Sequence, residues 1–147
     1  MDLMEKLKKD MVEAMKEKNK ERLTVIRMMK ASLDKERIDK KIEITDEVFL
    51  KVLEHEIKLR KDSVDEFVKA KRMDLAEKIE HELSVLKEYL PEQLSKEEVE
   101  KIVSDAVEEV KATSMKDMKK VMEIVNPKVR ARFDMKEVSQ MIKEKLS

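Results

Sequence analysis

The chain has 147 residues, 46% of them charged and 3% aromatic, with 34 Lys+Arg balanced by 34 Asp+Glu and neither glycine nor cysteine. Neutrality removes any global pull toward nucleic acid, and the missing cysteine excludes disulfides, thiolate nucleophiles and Cys-type zinc sites. The missing glycine argues against Gly-rich phosphate loops, dinucleotide fingerprints, nucleophile elbows and the favoured hairpin turns of β-rich folds.

So much charge is ordinarily a mark of disorder, but Leu, Ile, Val and Met recur with helical periodicity in every segment. Leu and the 12 Met are expected to fill the core. Residues 2–18 place Leu3, Met4, Leu7, Met11, Ala14 and Met15 at helical spacing, with Asp2 as cap. After a break at Asn19, a second helix over 20–39 carries Leu23, Ile26, Met29 and Leu33. Its 23–33 block is apolar on more than one stripe, which predicts a central helix. Lys40–Thr45 alternates like a strand but has no partner strand, so an extended linker is expected. Thr45 caps a long third helix with the stripe Phe49, Val52, Leu53, Ile57, Val64, Phe67 and Val68. A turn near 71–74 leads to a fourth helix with Leu75, Ile79, Leu83, Leu86 and Leu90, which ends before Pro91.

Pro91-Glu92-Gln93-Leu94-Ser95 is the expected joint between domains. Ser95 and Glu98 form a capping box for a fifth helix with Val99, Ile102, Val103, Ala106 and Val110. Thr113-Ser114 restarts the chain. A short helix follows with Met118, Val121, Met122 and Val125, stopped by Asn126-Pro127. Asp134 and Glu137 suggest another capping box, before Met135, Val138, Met141, Ile142 and Leu146. The reading is all-α: a helical domain of about four helices over 1–90, a joint over 91–95, and a three-helix domain over 96–147. No apolar run reaches a membrane span, and acidic residues near the N-terminus argue against a transit peptide, so a soluble, cytoplasmic protein is expected.

Chemistry is sparse. His55 and His81 stand among glutamates without metal-ligand spacing, and a solvated or locally paired role is expected for both. No serine has a nucleophile context, and the paired carboxylates carry no information without burial. No cofactor or metal is expected. Two basic groupings stand out. Arg27 and Lys30 share a face of the second helix, although snorkelling cations at a core edge would look the same. Between 111 and 132, Lys111, Lys116, Lys119, Lys120, Lys128, Arg130 and Arg132 face only Asp117 and Glu123. A solvated face is the ordinary reading of such a run; phosphate recognition without base stacking is the functional one.

Leu23–Leu33, Arg60-Lys61-Asp62-Ser63, Arg72-Met73-Asp74-Leu75 and Tyr89-Leu90-Pro91-Glu92-Gln93-Leu94-Ser95 together resemble the YqeY family. These are small bacterial proteins related to the tail of GatB, a subunit of tRNA-dependent amidotransferase, a carbon–nitrogen ligase. The resemblance implies an N-terminal helical domain and a tail-like three-helix domain. In GatB that tail helps hold tRNA, while catalysis lies elsewhere. The family's Gly-Lys-Val-Met-Gly reads Lys119-Lys120-Val121-Met122-Glu123 here, and its later Gly-Arg/Lys-Ala-Asp-Gly turn reads Ala131-Arg132-Phe133-Asp134-Met135. All four glycines are replaced. If that turn requires positive φ, Ala131 is strained.

Taken together, the resemblance and the basic run lead to the expectation of a non-catalytic adaptor binding tRNA or a tRNA–enzyme complex, with Lys119, Lys120, Lys128, Arg130 and Arg132 as candidate contacts and Arg27, Lys30, Arg60 and Lys61 as a second patch. Two alternatives stand beside it. One is a protein–protein module presenting Met115, Met118 and Met122; the other is an accessory amidotransferase subunit.

Overall fold

A computed structural model describes residues 2–147. The described residues form seven α-helices and a single 3-10 turn, with no strand. They fall into two compact units, Met1–Leu90 and Pro91–Ser147.

The first unit contains α1 (Leu3–Lys16), α2 (Lys20–Lys40), α3 (Asp46–Lys69) and α4 (Met73–Lys87). Short polar side chains set the starts. Asp2 accepts the Glu5 N–H at 2.7 Å, Asn19 that of Arg22 at 3.2 Å, and Thr45 that of Val48 at 3.3 Å. Asp46 also accepts the Leu3 N–H at 2.9 Å, joining the first turns of α1 and α3. Residues 42–45 form neither helix nor strand; Thr45 is extended, and its N–H donates to the Glu43 carbonyl at 3.2 Å. α2 packs against the other three helices and buries Val25, Ile26, Met29 and Leu33 against Leu7, Phe49, Leu53, Ile57, Leu83 and Leu86. The α3 stripe fades toward its end: Val64 is half-buried, but Val68 is 46% exposed.

The second unit contains α5 (Lys96–Val110), α6 (Met118–Val129) and α7 (Met135–Leu146), with the 3-10 turn at Met115–Asp117. The Ser95–Glu98 capping box forms at 3.1 and 3.2 Å. Ser114 and Asp117 make a second box that the sequence reading missed, although Ser-x-x-Asp is a capping pattern. Asp134 forms only half of the expected box: it accepts the Lys136 N–H at 2.8 Å, and Glu137 does not bond back.

Two other expectations are corrected. Pro127 does not stop α6, which continues to Val129. Proline lies in the last turn here, where it removes one donor close to the natural end of the helix. Nor is methionine the main core residue: the second core is built from Val99, Val103, Val121, Val125, Val129 and Val138, with Ala106, Ile142 and Leu146. Short side chains suit the close approach of three short helices. Met118 and Met122 are half-buried against that core, whereas Met115 is 45% exposed. The three methionines therefore do not make one open docking face.

Glycine's usual backbone role passes to other residues. Lys18, Lys41, Lys71, Lys111 and Ala131 all have φ between 54° and 60°. Lys41 and Lys111 are the C-caps of α2 and α5, a position glycine ordinarily fills.

Candidate functional site

The basic stretch belongs to α6 and the turns on either side of it. Lys119, Lys120 and Lys128 are exposed. Among the described residues, no carboxylate oxygen lies within 4.0 Å of any of their ammonium groups. The carboxylate nearest in sequence to the pair, Asp117, accepts the N–H groups of Thr113 at 2.9 Å and Ser114 at 3.3 Å. Those two donors, with a smaller contribution from the Lys120 charge, hold its carboxyl below the usual range.

Arg132 has a different place. Its Nε donates to the Glu92 carbonyl at 2.9 Å and its Nη1 to the Lys128 carbonyl at 3.2 Å. The Leu94 N–H donates to the Arg132 carbonyl at 2.9 Å, and Gln93 Nε2 to the Ala131 carbonyl at 2.8 Å. Residues 92–94, expected to be a joint, are thus bonded to the turn after α6, within one unit. Ala131 has φ 60°, so the turn does require positive φ, and these bonds hold alanine in it. Arg132 fixes the turn with two of its nitrogens. Arg130 is half-buried as the C-cap of α6.

The second candidate patch does not assemble as a cationic surface. Arg60 is only 8% exposed. It donates to Glu56 at 2.6 Å and to Glu82 at 3.2 Å, while Ser32 donates to Glu56 at 2.8 Å. Burial by itself would raise the Glu56 carboxyl; the Arg60 and Ser32 bonds, with the Arg60 charge, outweigh it and hold the group low. Lys30 pairs with Asp34 at 2.9 Å. Arg27 lies against the Met15 sulfur at 3.8 Å, and Lys61 is exposed on α3. His81 pairs with Glu21 at 3.4 Å, and His55 is exposed. No group of three or more His, Asp or Glu among the described residues could hold a metal.

Sequence reasoning missed a second polar cluster. Tyr89, 2% exposed, donates to Asp10 across the unit, and burial, together with that carboxylate, raises its phenol far above the ordinary range. Arg22 bonds Glu88 and lies 3.8 Å from Asp10. Lys6 stands 4.4 Å over the Tyr89 ring and donates to the Glu88 carbonyl at 3.1 Å. The signal was a lone tyrosine inside the most specific motif of the chain. Its partners, nearly eighty residues away, left no local trace.

The profile of the YqeY-like family matches residues 4–146. The chain belongs to that family. It is 32% identical over 89 residues to an uncharacterized protein of Schizosaccharomyces pombe, covering 60% of this chain and 72% of that protein. It is 38% identical over 109 residues to the altered inheritance of mitochondria protein 41 of Kluyveromyces lactis, and 33% identical over 117 residues to its namesake in Lachancea thermotolerans. Those matches cover 71% and 78% of this chain but 58% and 63% of the relatives, so the chain spans less than two thirds of their length. Both relatives are mitochondrial by name. Within this member, Tyr89 ties the end of α4 to α1 and the neighbouring Glu88 pairs with Arg22 of α2, whereas Glu92, Gln93 and Leu94 fasten the turn after α6.

Proposed function

We propose that this YqeY-like protein is a non-catalytic adaptor that holds tRNA, or a tRNA–enzyme complex, through the phosphate-facing lysines of α6. The observation that carries the reading is the state of Lys119, Lys120 and Lys128. They are exposed, without a carboxylate within 4.0 Å, in a stretch where cations outnumber anions. Kinship with the GatB tail adds the substrate class. Arg132 acts here through the turn it fixes, and Arg60 takes no part. No helix among the described residues is long and apolar enough to cross a membrane.

The test is fluorescence anisotropy of labelled total tRNA titrated with the full chain at several salt concentrations. Micromolar or tighter binding that weakens linearly in log–log with salt is expected, because each phosphate contact releases a counterion. Absence of binding at low salt sinks the reading.

A further inference from the structure

Two of the three basic residues of α6, Lys120 and Lys128, lie along one line. At about 100° per residue, positions four apart stack on one ridge of a helix. Lys120, Ile124 and Lys128 occupy one such ridge, with Ile124 half-buried against the core and both lysines exposed. Arg132 donates to the Lys128 carbonyl, which places its guanidinium at the same end of this ridge. Lys119 begins the adjacent ridge, and the next position on it is Glu123, followed by Pro127. The ridge positions themselves hold no carboxylate, although the charge of Lys120 acts on the N-cap Asp117, and the neighbouring ridge is interrupted by Glu123. Lys120 and Lys128 are separated by about 12 Å along the helix axis, from eight residues at about 1.5 Å each.

Aromatic rings are absent from this edge. Phe49 and Tyr89 are buried in the first unit, Phe67 is on α3, and Phe133 is half-buried against the second core. Proteins that hold single strands stack bases on exposed rings, at about 1–3 kcal/mol per base. This edge offers only charge along a line. A base-paired stem presents phosphates at higher linear density than a single strand, with a steeper salt dependence per contact.

Resting on the adaptor reading, we infer that the Lys120–Ile124–Lys128 edge of α6 tracks the phosphates of a base-paired RNA stem, without sequence preference and in preference to single-stranded RNA. Lys119, on the adjacent ridge, contributes less to this contact than either, and Arg132 positions the edge by holding the turn that follows it.

The test uses the full chain with a labelled RNA hairpin stem of about 16 base pairs and a single-stranded uridine oligomer of equal length. Wild type is expected to bind the stem several-fold more tightly. Lys120→Gln and Lys128→Gln should each weaken stem binding several-fold and flatten the log–log salt slope by about 0.9. Lys119→Gln should change it less than either. All three residues are exposed, and circular dichroism checks that each variant keeps its helices. Binding of RNA with preference for the single strand, or an equal loss from Lys119→Gln, overturns this inference while leaving the adaptor reading standing. Failure of the wild type to bind either RNA or total tRNA overturns both.

Discussion

The two units handle charge differently, although each carries equal numbers of basic and acidic residues. In the first unit two of the arginines are drawn inward onto carboxylates. Arg60 sits between Glu56 and Glu82 with its side chain 9% exposed, and Arg22 reaches both Glu88 and Asp10. In the second unit the core is almost wholly aliphatic, and Lys119, Lys120 and Lys128 stand in solvent without a close carboxylate. The difference teaches that formal neutrality hides two uses of charge. One specifies how helices pack; the other leaves charge available to a partner.

The most severe way to break this comparison is to remove the buried arginine. Arg60→Met leaves Glu56 and Glu82 facing each other in a nearly dry site, and breaking such a buried pair costs about 3–5 kcal/mol. Urea unfolding, with amide exchange along α3 and α4, should show the loss. Replacing the three charges together, with Glu56→Leu and Glu82→Leu added, should recover most of it, because a packed apolar cluster replaces a buried ion cluster with little net change. If Arg60→Met is as stable as wild type, the cluster does not hold the helices.

Acid should probe the same cluster more gently. The folded state holds the Glu56 carboxyl below its ordinary value of 4.5. A carboxylate whose pKa is lowered by folding contributes stability that is complete above its unfolded pKa. That contribution fades as pH falls through the lower folded value. The first unit is therefore expected to lose stability progressively below about pH 4.5. Glu56→Gln should flatten this part of the pH profile. An unchanged acid limb in that variant would mean that other carboxylates govern it.

Much of the fold was legible because its signals are local. Asp2, Thr45 and Ser95 announce helix starts, and each side chain accepts the expected kind of backbone N–H, while Asn19, read only as a break, caps α2 in the same way. Arg60 could have been read better. It lies three residues after buried Ile57 and four before half-buried Val64, in register with the core stripe, so a cation there calls for buried carboxylates. Its partner Glu82 comes from another helix, and the sequence gives no pairing for it. The basic stretch was visible as composition only. Its division into two ridges, and the removal of Arg132 into the Glu92 and Lys128 carbonyls, depend on where α6 begins and on a turn closed by residues forty positions away.

The smallest effects belong to the residues that replace glycine. Lys18, Lys41, Lys71 and Lys111 are exposed at positive φ, whereas Ala131 is 6% exposed there. A left-handed residue with a Cβ is strained by about 1–2 kcal/mol. Glycine removes that strain but loses about 0.5–1 kcal/mol more conformational entropy on folding. Lys111→Gly should therefore stabilise the second unit by about 0.5–1 kcal/mol, seen as a higher thermal midpoint. Ala131→Gly gains the same relief but gives up a buried methyl worth about 0.8 kcal/mol, so its stability should stay within about 0.5 kcal/mol of wild type. The order of the two variants carries the argument. If Ala131→Gly stabilises more than Lys111→Gly, the alanine strain exceeds ordinary left-handed cost, and the Gln93 and Leu94 bonds are holding the turn against it.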